Sequence, residues 1–139
     1  MRADISDTDW QRVHFTGLIS YDKFISLLQV SRAHIYLTYP FVLSWSLLET
    51  MSAGGAILAS DTAPVREVIF DDETGLLTDF FDTDALADNL NRLLDDAGLR
   101  SRLGAAARQL VLDRFDLEKT CLPQQLQWVD ALAQTPAHP

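Results

Sequence analysis

The amino-acid sequence predicts an α/β protein: a parallel sheet of about four strands flanked by helices, followed by a helical carboxy-terminal segment. Three observations predict it. Residues 34–60 read as strand, loop, short helix, Gly-Gly turn and strand, and two parallel strands need such a crossover between them. The run from Ala56 to Ala59 is short and wholly apolar, the pattern of a strand covered on both faces. From Asp82 onward the spacing turns helical, with Leu86, Leu90, Leu93 and Leu94 at i, i+4, i+7 and i+8.

The elements follow in order. Residues 1–12 are polar and aperiodic and predict a frayed lead-in. Residues 13–16 form a short strand candidate ended by Gly17, and Phe24, Leu27, Leu28 and Ser31 then mark one face of a helix beginning near Asp22. The next strand, within residues 34–39, is β-branched and aromatic and stops at Pro40, which biases Tyr39 toward an extended conformation. Residues 46–53 are the crossover helix. Gly54 and Gly55 come after a helix and before a strand, the order of a helix C-cap turn and not of a dinucleotide fingerprint.

Beyond the strand at 56–60, residues 61–64 form a turn whose Asp and Thr hydrogen-bond their own backbone. Pro64 suits the first position of a helix carrying Arg66, Glu67 and Val68. Residues 75–78 give a final strand after a solvated Asp71-Asp72-Glu73 loop. The Leu86 helix is broken at Gly98, and a second helix carries Leu99, Leu103, Ala106, Ala107, Leu110 and Val111 to about Phe115. A last helix, over 118–133, is interrupted by Pro123 and carries Leu126, Trp128, Val129 and Leu132; residues 134–139 form a flexible tail. No linker divides residues 13–133, which read as one domain.

Composition bounds the function. With 139 residues, 47% hydrophobic and 22% charged, the chain can bury a core. A net charge of −9 argues against nucleic acid as partner, since phosphates are neutralised by clustered Lys and Arg. No stretch approaches the roughly 20 apolar residues of a membrane span, and the start, with Asp4, Asp7 and Asp9, is no signal peptide. The chain is therefore read as cytoplasmic. The single cysteine, Cys121, lacks the neighbours of a metal site or nucleophile and reads as a half-buried helix residue. His14 and His34 have no carboxylate or second His at ligand spacing, so no metal site is expected.

The residues that carry chemistry cluster around the crossover helix. Ser46 and Glu49 have the spacing of a capping box, with each side chain accepting from the other residue's amide. That places the positive end of a helix at the carboxyl end of a parallel strand, where ligands of open α/β sheets collect and where a diphosphate is favoured. The backbone amides of Ser44, Trp45 and Ser46 are the phosphate candidates. Glu49 has two readings, a cap or a ligand-facing carboxylate. Trp45 has two as well, stacking on a base or filling the core. Arg66 and Glu67, near the strand ends, read equally as a surface ion pair or as ligand-facing groups.

The run Leu47-Leu48-Glu49-Thr50-Met51-Ser52-Ala53-Gly54-Gly55-Ala56-Ile57-Leu58-Ala59-Ser60 resembles the nucleotide-sugar-binding core of the group 1 glycosyltransferases, a retaining class with the GT-B fold. Their usual pattern there is Leu-Leu-Glu-Ala-Met-Ala-x-Gly-x-Pro-Val-Val-Ala-Ser. Val13-His14-Phe15-Thr16-Gly17, Glu67-Val68-Ile69, Thr74-Gly75-Leu76-Leu77 and the stretch from Arg100 to Arg108 fall in the family's order. The resemblance covers about residues 13–117 and implies a partial Rossmann-like sheet, the carboxy-terminal half of a GT-B enzyme.

By that resemblance the chain would hold the donor of a sugar transfer that retains configuration, from a nucleoside-diphosphate sugar to an unidentified acceptor, with no cofactor and no required metal; the alternative is a truncated relative that does not catalyse and acts only as a nucleotide-binding or assembly module. Glu49 matches the family Glu that holds the ribose hydroxyls. The family commonly has another Glu eight positions earlier, followed by Gly-Phe-Gly, which contacts the donor sugar. Here those positions are Phe41, Val42, Leu43 and Ser44, so the sugar's vicinity is apolar. The family's domain also begins with two further strands, one followed by a loop giving an Arg and a Lys to the diphosphate. This chain starts after both. The resemblance thus implies exposed strand edges, met by an amino-terminal acceptor-binding domain, by internal re-pairing or by a second copy. It also implies a last helix that crosses back to that missing domain.

Overall fold

The computed structural model describes residues 6–39 and 42–134. Three parallel strands form one sheet in the order β1 (His34–Tyr36), β2 (Ile57–Ser60), β3 (Leu76–Thr78). His34 lies opposite Ile57, and Leu58 opposite Leu76. Where the β1–β2 ladder ends, a side chain continues it: the Thr38 amide donates to Ser60 Oγ at 2.9 Å, and Ser60 Oγ donates to the Thr38 carbonyl at 2.7 Å.

The helices are α1 (Asp7–Trp10), α2 (Tyr21–Val30), α3 (Trp45–Ser52), α4 (Ala63–Arg66), α5 (Thr83–Asp95), α6 (Ala97–Arg114) and α7 (Leu122–Gln134). They cover the sheet on both faces. On one face Leu47 and Met51 of α3 and Ala107 of α6 pack with Tyr36, Ile57 and Ala59. On the other, Leu86, Leu90 and Leu93 of α5 and Leu99 and Leu103 of α6 pack on Leu58 and Leu76. Leu47, Met51, Ile57 and Leu58 are fully buried, each contributing roughly 1.5–3 kcal/mol of transfer free energy. That double burial explains the uninterrupted apolar run at 56–59.

Several expectations are corrected. The strand at 13–16 does not form, and the sheet has three strands in place of about four. Val13 and Phe15 are exposed, and a strand without a ladder partner leaves its amides to water. The lead-in holds one helical turn, α1, in which the Asp9 amide donates to Ser6 Oγ. Gly98 does not break the helix; the break is Asp96, whose Oδ1 accepts from the Leu99 amide at 2.8 Å and starts α6. α4 ends at Arg66, short of Val68, with Pro64 as its second residue.

Pro123 does not interrupt the last helix. A π-helical turn, Leu117–Cys121, leads into α7, and such a widened turn spares the ring the clash it would have with the carbonyl four residues back. Cys121 is a half-buried free thiol. α7 buries no residue, and Leu122, Leu126, Trp128, Val129 and Leu132 are exposed. On the sheet, the outer edge of β1 has no strand partner among the described residues, and Ile35 and Leu37 are exposed. The expected bare edge is thus present at β1, while residues 13–16 supply no second one.

Candidate functional site at the carboxyl end of the sheet

The site begins where β1 ends. Pro40 and Phe41 lie outside the described residues, so the Phe41 expectation is not addressed by the structure. Val42 is exposed, while Leu43 packs partly against the core. Ser44 then caps α3, its Oγ accepting from the Ser46 amide at 3.4 Å and lying 3.1 Å from Ser46 Oγ. The buried Tyr36 holds the loop in place: its hydroxyl accepts from the Ser44 amide at 2.8 Å.

This overturns the capping box. The helix starts two residues earlier than a Ser46 cap requires, Ser46 lies inside its first turn, and Glu49 stands in its second turn. Ser44 wins because a short hydroxyl at the N-cap reaches the orphan amides, and Tyr36 fixes its backbone from below. Of the three proposed phosphate donors, the amides of Ser44 and Ser46 already have acceptors. The Trp45 amide has none among the described residues.

Released from capping, Glu49 faces a cleft of about 350 Å³ between α2, α3 and α6, lined also by Tyr21, Ile25, Trp45, Arg108 and Phe115. Tyr21, the first residue of α2, stands in the same cleft. Partial desolvation, then the negative charge of nearby Glu49, hold the Tyr21 hydroxyl above its ordinary pKa. Arg108 donates to the Ser52 carbonyl at the end of α3, where a cation complements the helix dipole. Trp45 is 83% exposed, so the core reading of that residue is wrong and its indole is free to meet a ligand.

Trp45 and Glu49 stand four positions apart in α3, about 6 Å along the axis at 1.5 Å per residue. The helix start and the carboxylate are therefore within the reach of one nucleotide. A second hollow on the β1 side of Ser44 is lined by Tyr36, Leu37, Thr38, Val42 and Leu43.

Sequence reasoning missed Tyr21 and singled out Arg108 only as part of a family stretch. Tyr21 lies 28 positions before Glu49, and no local spacing joins them; only the packing of α2 on α3 does. The remaining candidates are plainer. Arg66 pairs with Asp61 through Nη2 to Oδ2 at 2.6 Å and through a second contact from Nε to Oδ1, and not with Glu67. That bidentate pair depresses the pKa of Asp61. His14 is exposed, while burial lowers the pKa of half-buried His34. Among the described residues no group of three His, Cys, Asp or Glu could hold a metal ion, and no helix is long and apolar enough to cross a membrane.

Comparison with known proteins agrees with this architecture. The family described as "Glycosyl transferases group 1" matches residues 9–110. N-acetyl-alpha-D-glucosaminyl L-malate synthase of Bacillus anthracis is 31% identical over 121 residues, 87% of this chain and 31% of that protein. Sucrose-phosphate synthase of Thermosynechococcus elongatus superposes with a TM-score of 0.77 at 26% identity, over 90% of this chain and 31% of that one. A crystal structure of Anabaena Alr3699/HepE, described as in complex with UDP, has the same fold, with a TM-score of 0.67 at 19% identity over 78% of this chain and 29% of that one. The chain spans about three tenths of the length of the curated relatives it matches. With a family match over most of its length, the parallel sheet covered on both faces and the Glu49 helix at its carboxyl end, this chain belongs to the group 1 glycosyltransferases and forms part of the carboxy-terminal domain of their GT-B fold.

Proposed function

We propose that the chain is the donor-binding portion of a glycosyltransferase that takes its sugar from a nucleoside-diphosphate sugar and transfers it with retention. One observation carries the reading: Glu49 does not serve as a helix cap and instead faces a cleft that reaches the start of α3. A carboxylate there accepts both ribose hydroxyls, and the diphosphate meets the positive end of α3 at the Trp45 amide.

The chemical contribution is stabilisation of the leaving diphosphate by an amide and a helix dipole already in place before the bond breaks. The reading requires no metal and no cofactor. The donor sugar projects toward Val42 and Leu43, an apolar neighbourhood in which contact is made through its C–H faces. The acceptor is presented by a further domain or a second copy, and we place the reaction in the cytoplasm.

The test is titration calorimetry of the chain with uridine, guanosine and adenosine diphosphates, beside thermal unfolding, for the wild type and Glu49→Gln. The expected result is binding of at least one nucleotide, weakened about tenfold or more by the substitution, with the melting temperature nearly unchanged. Loss of stability with binding intact would return Glu49 to a structural role.

A further inference from the structure

Away from the Glu49 cleft, three aromatic rings gather at the carboxyl end of the sheet. Tyr39 follows β1, and Phe80 and Phe81 follow β3. Because the strands are parallel with β2 between the other two, the rings meet across the end of β2. The Tyr39 ring centroid lies 5.6 Å from that of Phe80 and 5.3 Å from that of Phe81, and the Phe80 and Phe81 centroids lie 5.1 Å apart; both pairs that include Phe81 are edge to face. These contacts order the rings without covering them. Tyr39 is 61% and Phe81 71% exposed. The rim is acidic, with Asp79, Asp82 and Asp84 exposed beside the rings. Asp79 Oδ1 accepts from the Phe81 amide at 2.8 Å, which fixes the carboxylate next to the aromatic patch and leaves it further acceptor sites.

We infer that Tyr39, Phe80 and Phe81 form a platform for the pyranose ring of a neutral sugar, with the Asp79 carboxylate accepting from one of its hydroxyls. A pyranose is amphipathic in the way the patch requires: its C–H face carries a slight positive charge that suits the negative face of an aromatic ring, and its rim of hydroxyls donates to carboxylates. Charge argues against a phosphate-bearing surface, which three carboxylates would repel. The platform shares no lining residue with the Glu49 cleft. It adjoins the hollow of Thr38, Val42 and Leu43, toward which the donor sugar projects in the reading above, so its sugar is the one that receives the transfer. That role rests on the donor-site reading; the binding does not.

The test follows the ring resonances of Tyr39, Phe80 and Phe81 by NMR while the full chain is titrated with methyl α-D-glucopyranoside, methyl α-D-mannopyranoside and, as a polyol without a ring, sorbitol. At least one pyranoside should shift all three rings, and sorbitol none. Phe81→Ala should weaken that binding roughly five- to tenfold, and Phe81→Trp should keep it. Because the Phe81 ring is exposed, both variants should melt as the wild type does. The pyranoside should also bind while a nucleoside diphosphate is present, as a receiving site requires. Rings unmoved by both pyranosides, or moved equally by sorbitol, overturn the inference and leave the patch as a protein-contact surface; unweakened binding by Phe81→Ala overturns it as well. Displacement of the pyranoside by a nucleoside diphosphate overturns the receiving role. A wild type that binds the pyranoside but no nucleotide removes the donor reading, and the receiving role with it, and leaves the platform standing.

Discussion

Replacing Gly104 by alanine tests how α3, and with it the whole candidate site, is held against the rest of the molecule. A Cβ at Gly104 would lie 2.2 Å from the Gly54 carbonyl oxygen and 3.0 Å from its carbon. Ordinary contact begins near 3.4 Å, so the two backbones would have to separate by more than 1 Å. Neither partner is a side chain that can rotate away. Overpacking of this kind costs about 1–3 kcal/mol, and backbone against backbone belongs at the upper end. Alanine recovers about 1 kcal/mol through its helix propensity, which leaves a net loss of about 2 kcal/mol. With an unfolding entropy of about 2.1 cal/mol/K per residue, that lowers the melting temperature by roughly 7 °C.

The assay is thermal and urea unfolding of Gly104→Ala beside Gly98→Ala, a substitution in the same helix. The Gly98 Cβ meets only the Asp96 carboxylate, at 3.2 Å, and should leave stability between unchanged and about 1 kcal/mol higher. If Gly104→Ala is as stable as the wild type, α6 does not seat its backbone on the Gly54 turn, and the account of how α3 is anchored fails.

Other predictions concern the strands. Tyr36→Phe removes the acceptor of the Ser44 amide and should cost about 1 kcal/mol in urea unfolding; nucleotide binding should weaken as well, since Tyr36 fixes the loop entering α3. A variant with unaltered stability and affinity would separate Tyr36 from the site. For His34, burial lowers the folded-state pKa below the ordinary 6.5, so the folded protein favours the neutral ring. The stabilisation is present above 6.5 and is lost as pH falls through the depressed value. Urea midpoints should therefore decline between about pH 7 and pH 5, and His34→Gln should flatten that slope; an equal slope in both proteins would show that His34 is not the group responsible.

Several features were readable from the chain because they are local. The apolar run at 56–59, the Gly54-Gly55 turn and the leucine spacing of α5 each reflect a period or a backbone preference that a few neighbours determine. The first strand candidate failed for the opposite reason: Val13 and Phe15 have the right residue types, but a strand exists only where another supplies the ladder. Ser46 and Glu49 had the spacing of a cap, yet Ser44 lay two residues nearer the strand and Tyr36 reached up to hold it. Local pattern allowed both starts, and a tertiary hydrogen bond chose between them.

By itself the sequence determined the α/β class, the parallel strands, the family and the helix on which Glu49 stands, because periodicity and motif order are properties of the chain. Tertiary structure alone decided that Glu49 faces a cleft, that Trp45 is exposed and that Tyr21 stands opposite. The physical reason is that direction depends on what packs behind a helix, and the residues that line the cleft with Glu49 come from α2 and α6, far away along the chain.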